Sequence, residues 1–355
     1  MATDGKQVML SCGGGGSKAS KEVPNLVRVD QYDETACTFT ELTSLNSGKR
    51  LIVCLSYSVF NGLWLAGVVD GSCMILELSE SADSLQTVCE WVCETEEIPS
   101  RRGPIPPSLN QVKFSPNGDI IASGGSDGFV RLWKANGKEA PSLHVSCAKA
   151  QAKNEIKDLD FSPDGKLVAS CDDTGKCHLY NTSTGQEDKV LSAEEPICRA
   201  RFFINSNNQP AIATVVQSVR GPSHLVLYSM DGTVIKKVKI DKNPVLALAV
   251  HPSSSMVAVA VGEGPKRIYS LPTLKVLKQK PSVHDMPANL LEFMGQDSAI
   301  SASGDRVFHV LRAKGSAKSG GGSVVFMMFV LVVLMAVMYV LLRIGMKGGV
   351  LQQGQ

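Results

Sequence analysis

The sequence predicts an all-β protein, a seven-bladed β-propeller followed by one C-terminal transmembrane helix. Three observations support this prediction: two nearly identical strand-rich segments, weaker copies of them at a regular spacing, and one long apolar run near the C-terminus. Of the 355 residues, 43% are hydrophobic and 20% are charged. This composition suffices for a large core and is too apolar for a disordered chain.

The two best repeats are segments 112–133 and 159–180, which read VKFSPNGDIIASGGSDGFVRLW and LDFSPDGKLVASCDDTGKCHLY. Each predicts strand, turn, strand, turn, strand: a Phe-Ser-Pro-x-Gly turn, an apolar run ending in Ala-Ser, and a second turn near Asp127 or Asp173. This is the inner part of one four-stranded propeller blade. Aspartates in tight turns normally cap backbone N–H groups, so we interpret Asp127 and Asp173 as structural rather than catalytic.

Weaker copies follow at 201–203, 248–261 and 290–310. The equivalent apolar positions then recur roughly every 41 to 48 residues, the period of WD-repeat blades. These positions are Phe114, Phe161, Phe202, Val250 and Phe293. Upstream, segment 62–78 predicts a strand pair and segment 6–12 a lone strand, so that partial blades bring the total to seven and the chain ends close the ring.

The apolar run at 324–342 reads VVFMMFVLVVLMAVMYVLL and contains no charge. At 1.5 Å per residue it just spans a hydrocarbon core of roughly 30 Å. The sequence therefore predicts a cytosolic propeller at 1–312, a Gly/Ser-rich linker at 313–323, a single transmembrane helix at 324–342 and a short lumenal tail at 343–355. The cytosolic orientation is expected because no signal peptide is apparent, and the short span favours the endoplasmic reticulum.

Composition and motifs disfavour several function classes. The net charge is only +2, and the basic clusters at 101–102 and 236–239 lack aromatic partners, which disfavours nucleic-acid binding. The ten scattered cysteines are expected to be reduced and mostly buried, including Cys89 and Cys93, which have no second ligand pair at a zinc-site spacing. We find no hydrolase, dinucleotide or metalloprotease motif, and the histidines at 144, 178, 251, 284 and 309 fall in separate repeats.

A glycine-rich segment at 11–25, SCGGGGSKASKEVPN, is not explained by blade geometry. Four glycines allow the backbone to turn its amides or carbonyls inward and to form an ion-binding nest. The segment is not a P-loop, because no Gly-Lys-Ser/Thr sequence and no helix follow the glycines. The alternative is a flexible hairpin tip between the first two strands.

This loop, the two central repeats, the Cys198–Phe203 segment and the C-terminal apolar run occur in the order of one family. The chain resembles the SEC12-type guanine-nucleotide exchange factors, WD-repeat propellers with a C-terminal membrane anchor. The resemblance implies location in the endoplasmic reticulum membrane and GDP release from the small GTPase that initiates COPII coat assembly. Compared with that family, the sequence predicts no strand before the one that ends at Cys12.

The resemblance also assigns roles within the loop. It implies that Asn25 is the catalytic residue, that Gly13, Gly14, Gly15, Gly16 and Pro24 contact the GTPase, and that a structural potassium ion orders the loop. No other cofactor is expected. Exchange requires no covalent chemistry, because the factor only has to bind the nucleotide-free GTPase more tightly than the GDP form. The alternative is a membrane-anchored scaffold without exchange activity.

Overall fold

The computed structural model describes residues 1–313, apart from 5–6, 15–22, 94–107, 148–153, 219–220, 272, 282–283 and 306. These residues belong to one compact unit, Met1–Ala313. They form 27 β-strands arranged in seven antiparallel sheets, so the predicted all-β, seven-bladed propeller is confirmed.

The strands of each blade are consecutive in the chain. Blade 1 contains β1 (Ala2–Thr3), β2 (Val8–Gly13), β3 (Asn25–Asp33) and β4 (Thr38–Gly48). Blade 2 contains β5 (Ile52–Tyr57), β6 (Trp64–Val68), β7 (Ser72–Leu78) and β8 (Leu85–Val92). Blade 3 contains β9 (Leu109–Phe114), β10 (Ile120–Gly125), β11 (Val130–Asn136) and β12 (Glu139–Cys147). Blade 4 contains β13 (Ile156–Phe161), β14 (Leu167–Asp172), β15 (Cys177–Asn181) and β16 (Glu187–Leu191).

The second half of the ring repeats this order. Blade 5 contains β17 (Ile197–Ile204), β18 (Pro210–Gln217), β19 (Ser223–Ser229) and β20 (Val234–Asp241). Blade 6 contains β21 (Val245–Val250), β22 (Met256–Val261), β23 (Lys266–Ser270) and β24 (Val276–Lys280). Blade 7 contains β25 (Leu290–Met294), β26 (Ser298–Ala302) and β27 (Phe308–Arg312) in the part that the structure describes.

The core consists of apolar layers between neighbouring blades. Strands such as β22, MVAVAV, are buried along their whole length because each blade is covered on both faces by its neighbours. Seven hydrophobic clusters result, and each one joins a different pair of adjacent blades. The seventh joins blade 7 to blade 1, so the apolar core runs around the complete ring.

Blades 7 and 1 meet through side chains rather than through a strand that both share. The Tyr32 hydroxyl donates a hydrogen bond to Ser298 Oγ across the seam at 3.3 Å. The Phe39 ring stacks on Tyr32 and contacts Phe308, with ring centroids 5.0 Å apart in each pair. Aromatic packing of this kind therefore closes the ring.

Blade 1 corrects two sequence-based predictions. The lone strand predicted at 6–12 is β2, the second strand of a complete four-stranded blade. The prediction that no strand precedes it is wrong, because β1 pairs with β2 through Ala2↔Leu10 and Thr3↔Met9. Two residues give no detectable alternation, so β1 was invisible to pattern reasoning.

The antiparallel order sorts the connections onto two faces of the propeller. We call the face with the β2–β3 connection the glycine-loop face. The turn between the second and third strands of every blade lies on this face, and each link between blades begins and ends there. Hydrogen bonds join these two kinds of connection, as from Ser126 N to Ser108 O at 2.9 Å. Ala313 N bonds to Asp297 O at 2.9 Å, so the described chain leaves on the opposite face.

The predicted transmembrane helix at 324–342 lies outside the described residues. Within the described part of the chain, no helix is long and apolar enough to cross a membrane.

Candidate functional site

The glycine-rich loop emerges between β2 and β3 of blade 1. Gly13, the last residue of β2, pairs with Leu26, and Asn25, the first residue of β3, pairs with Gly48 at the end of β4. The loop is therefore a connection between the second and third strands, and not between the first two strands as the sequence suggested. Gly15 and Gly16 lie outside the described residues.

Asn25 lies at the base of the loop with its side chain turned into the blade. The residue is only 1% exposed. Its Nδ2 donates a hydrogen bond to Gly48 O at 3.1 Å, and its backbone carbonyl accepts one from Ser47 Oγ at 3.2 Å. The resemblance implies that Asn25 is the catalytic residue. In the structure its side chain fastens the loop base to the end of β4.

Gly14 and Gly13 differ in how much room surrounds them. A Cβ atom on Gly14 would lie 2.4 Å from Asn25 Oδ1 and 2.5 Å from both Asn25 Cα and Pro24 O. Backbone atoms at that distance cannot yield cheaply, so position 14 requires glycine for the loop base to close. A Cβ atom on Gly13 would meet nothing within 4 Å, so position 13 tolerates a side chain.

Two oxygen atoms, Pro24 O and Asn25 Oδ1, approach the same side of Gly14. Uncharged oxygens of this kind are the type of ligand that hard cations accept, which is the type that the potassium ion implied by the resemblance would require. Within the described residues, no group of three or more His, Cys, Asp or Glu side chains is arranged to hold a metal ion. A cation at this loop would rest on carbonyl and amide oxygens instead.

Sequence reasoning missed the partners of Asn25. Ser47 and Gly48 end β4, TFTELTSLNSG, a strand with polar and exposed residues along most of its length. Its pattern has no apolar alternation, so it did not read as a strand. The Asn-Ser-Gly run at its end was the only available signal, because such residues cluster where strands stop.

Two aspartates in the turns of blades 3 and 4 have structural roles. Asp127 Oδ1 accepts a hydrogen bond from Phe129 N at 3.1 Å, which confirms the predicted cap. In blade 4 the cap is Asp172, whose Oδ1 accepts hydrogen bonds from Thr174 N and Oγ1, so the assignment to Asp173 was wrong by one residue.

The prediction that the histidines lie in separate repeats fails in blade 7. The His284 and His309 rings contact each other with centroids 4.4 Å apart. His284 also lies 2.8 Å from Asp305 Oδ2 and 3.1 Å from Ser301 Oγ, so it ties the link before β25 to the β26–β27 turn. The prediction that the cysteines are mostly buried is confirmed, because six of the ten are buried.

The chain is similar to a WD40-repeat domain in its central blades and to the SEC12-type proteins over a longer or shorter part of its length. The profile of the anaphase-promoting complex subunit 4 WD40 domain matches residues 112–203. SEC12-like protein 2 of Arabidopsis thaliana is 25% identical over 174 residues, which cover 47% of this chain and 42% of that protein. The guanine nucleotide-exchange factor SEC12 of Rattus norvegicus is 35% identical over 86 residues, which cover 24% of this chain and 18% of that protein. The resemblance to SEC12-type propellers is confirmed.

The SEC12-type relationship concerns part of each relative, because the chain spans less than half the length of the relatives it matches. Among solved structures, a chain from the outer coat vertex of COPII on membranes superposes with a TM-score of 0.71. The superposition covers 88% of this chain and 83% of that one at 13% sequence identity. At this identity the likeness establishes the propeller fold alone.

Proposed function

We propose that this SEC12-type propeller is a guanine-nucleotide exchange factor that releases GDP from the small GTPase that initiates COPII coat assembly. The observation that carries the proposal is the 35% identity to the rat exchange factor in a chain whose first blade bears the glycine-rich loop. The endoplasmic reticulum membrane is the proposed location. It is supported by the apolar run at 324–342, which is long enough to span a bilayer.

In the proposed mechanism no covalent bond is made, and the protein acts through its different affinities for two forms of the GTPase. GDP leaves faster if the protein binds the nucleotide-free GTPase more tightly than the GDP form, because that difference lowers the barrier to release. A loop that is already ordered at its base loses less conformational entropy when it binds. Asn25 supplies this order by joining β3 to Gly48, and Gly14 supplies it by leaving room for Asn25.

Asn25 thus acts as a positioning residue in the proposed mechanism, and the contact with the GTPase falls to the loop itself. We assign that contact to Gly13, Gly14, Gly15, Gly16 and Pro24, as the resemblance implies. A potassium ion bound near Pro24 O and Asn25 Oδ1 would add rigidity to the same base.

A scaffold without exchange activity is the second candidate. The match of residues 112–203 to the WD40 domain of an anaphase-promoting complex subunit favours it, since that match rests on the blades alone. In a scaffold the propeller gathers partners on its faces, and the geometry of the glycine loop has no bearing on function.

GDP release from the purified GTPase, followed with a fluorescent nucleotide, separates the two functions. We expect the full chain in mild detergent to accelerate release, and Gly14→Ala to lose about a hundredfold, because small misplacements in a binding site have effects of that order. Gly137→Ala is the matched control and should retain the activity, because Gly137 lies in the β11–β12 turn on the opposite face and an added Cβ would meet nothing within 4 Å. Equal activity of the two alanine variants would contradict the role of the loop, and an inactive wild-type protein would leave the scaffold as the function.

A further inference from the structure

The exposed apolar side chains of the glycine-loop face are concentrated in three adjacent blades. Five large apolar residues at the connections and strand ends of this face are between 37% and 71% exposed. They are Val23 in blade 1, Val69 and Val92 in blade 2, and Met286 and Val307 in blade 7. Blades 7, 1 and 2 are consecutive around the ring, and the glycine loop lies in the middle one.

The remaining blades differ at the same face. Among their described residues, the large exposed apolar side chains lie in outer strands: Leu143, Val190, Val234, Ile235, Val276 and Leu277. Of these, Val190 alone is close to the glycine-loop face, one residue before the end of β16. The connections of blades 4 to 6 instead expose residues such as Asp173, Glu194, Lys242 and Glu263. Single exposed apolar residues need no explanation, but a group confined to one side of a ring marks an interaction surface.

On the blade 2 side, hydrogen bonds connect the loop base to the exposed valines. Ser47 Oγ, which bonds to Asn25 O, also donates to Arg50 O at 2.7 Å. Val69 N donates to Leu51 O at 2.9 Å. The Arg50 guanidinium pairs with Glu90, two residues before Val92, at 2.5 Å. Val69 and Val92 are therefore connected to the base of the glycine loop.

On the blade 7 side, one carboxylate fixes the two exposed residues. Asp305 accepts hydrogen bonds from Asp285 N at 3.1 Å and from Val307 N at 3.0 Å, and it contacts His284 Nδ1 at 2.8 Å. Met286 packs over Gly304, where an added Cβ would come within 3.0 Å of its sulfur. Met286 and Val307 are thus held by the β26–β27 turn.

We propose that Val23, Val69, Val92, Met286 and Val307, the apolar arc, form the surface on which the small GTPase docks on both sides of the glycine loop. This inference rests on the proposed function and adds to it the part of the propeller that the partner covers. Packed sheets lie about 10 Å apart, so the arc spans roughly 20 Å, and a standard interface buries about 800 Å² on each partner. Val23 belongs to the loop connection itself and the other four residues lie in the two adjacent blades, so a partner that binds the loop through an interface of standard size can reach them.

The test compares three paired variants of the full chain in the GDP-release assay. Val69→Glu with Val92→Glu changes one arm of the arc, and Met286→Glu with Val307→Glu changes the other. Val59→Glu with Phe60→Glu is the matched control, because these residues are 76% and 75% exposed on the opposite face. Serine at the same positions separates the loss of apolar surface from the added charge. Thermal unfolding measures whether each variant folds.

We expect both arm variants to lower the rate of GDP release and the affinity for the nucleotide-free GTPase by about tenfold or more, as truncation of central interface residues does. The control variant should equal wild type. If folded arm variants match wild type while Gly14→Ala is inactive, the apolar arc is wrong and the exchange function stands. If the wild-type protein itself is inactive, the exchange function and the arc fail together.

Discussion

Blades 1 and 3 differ in how the connection between their second and third strands is held. In blade 3 the turn between β10 and β11 is short and is held by a buried charge pair, Asp127 with Arg131, at 2.7 Å. In blade 1 the equivalent connection runs over residues 14–24, and its base is held by the neutral amide of Asn25. In blade 3 the turn is held by a charge pair within the blade, whereas in the described part of the blade 1 connection the base is held to the end of β4.

This difference suggests that stability and function are separable along the ring. A buried ion pair that loses one partner leaves an uncompensated charge, so blade 3 should be sensitive in stability. A loop base held by single neutral hydrogen bonds contributes less to folding, and its alteration should affect activity more. The following experiments test that separation.

Asp127→Ala should produce the largest change in stability. The Asp127 and Arg131 side chains are 2% and 8% exposed, so the variant leaves a buried guanidinium without its carboxylate. We expect the free energy of unfolding, measured with urea, to fall by about 3–5 kcal/mol. Asp70→Ala is the matched control, because Asp70 caps the exposed turn of blade 2 through Ser72 N and should cost only about 1 kcal/mol. Equal losses would show that the charge pair is not what stabilises blade 3.

Asn25→Ala should give a smaller loss of stability and a larger loss of activity. The variant removes the donor to Gly48 O in a buried position, which costs about 1–3 kcal/mol. GDP release should fall about a hundredfold, since the loop base shifts. Asp127→Ala, measured below its unfolding transition, should keep its activity. If activity in both variants falls only in proportion to the fraction of folded protein, then blades 1 and 3 do not differ in their effects on activity and stability.

The same contrast explains what the sequence could and could not predict. Blades 3 and 4 were predictable because their turns and apolar strands repeat almost residue for residue. Blade 1 was not, because β1 has two residues and β4 is polar along most of its length. The loop was visible from its glycines, but the partner of Asn25 lies 23 residues away in a strand that has no signature. Contacts of this kind depend on register, which composition does not determine.

The pH dependence of stability should show a third, smaller effect in blade 4. Hydrogen bonds to Asp172 and then Glu187 raise the pKa of His178 above its ordinary value, although burial opposes them. A histidine whose pKa is raised in the folded state stabilises the protein fully below its unfolded pKa of about 6.5, and that contribution disappears as the pH rises through the folded value.

The measurement compares the free energy of unfolding of wild type and His178→Gln between pH 5.5 and 8.5. We expect the advantage of the wild-type protein to be about 1 kcal/mol at the acidic end and to vanish at the basic end, because partly exposed ion pairs are weak. Asp172 also caps its own turn through Thr174, so the variant keeps that bond. A difference that is constant with pH would mean that His178 packs without charge.

Replacing potassium with a larger organic cation should have the smallest effect, and on blade 1 alone. In the proposed site the ion would take oxygens of Pro24 and Asn25 as ligands, and the positive charge that Lys18 and Lys21 add to the same loop would weaken its binding. We expect GDP release by wild type to slow by a few-fold in tetramethylammonium chloride at constant ionic strength, and urea unfolding to be unchanged. Gly14→Ala should show no cation dependence, because its loop base is already displaced. Equal slowing of wild type and Gly14→Ala would locate the potassium effect on the GTPase and remove the ion from blade 1.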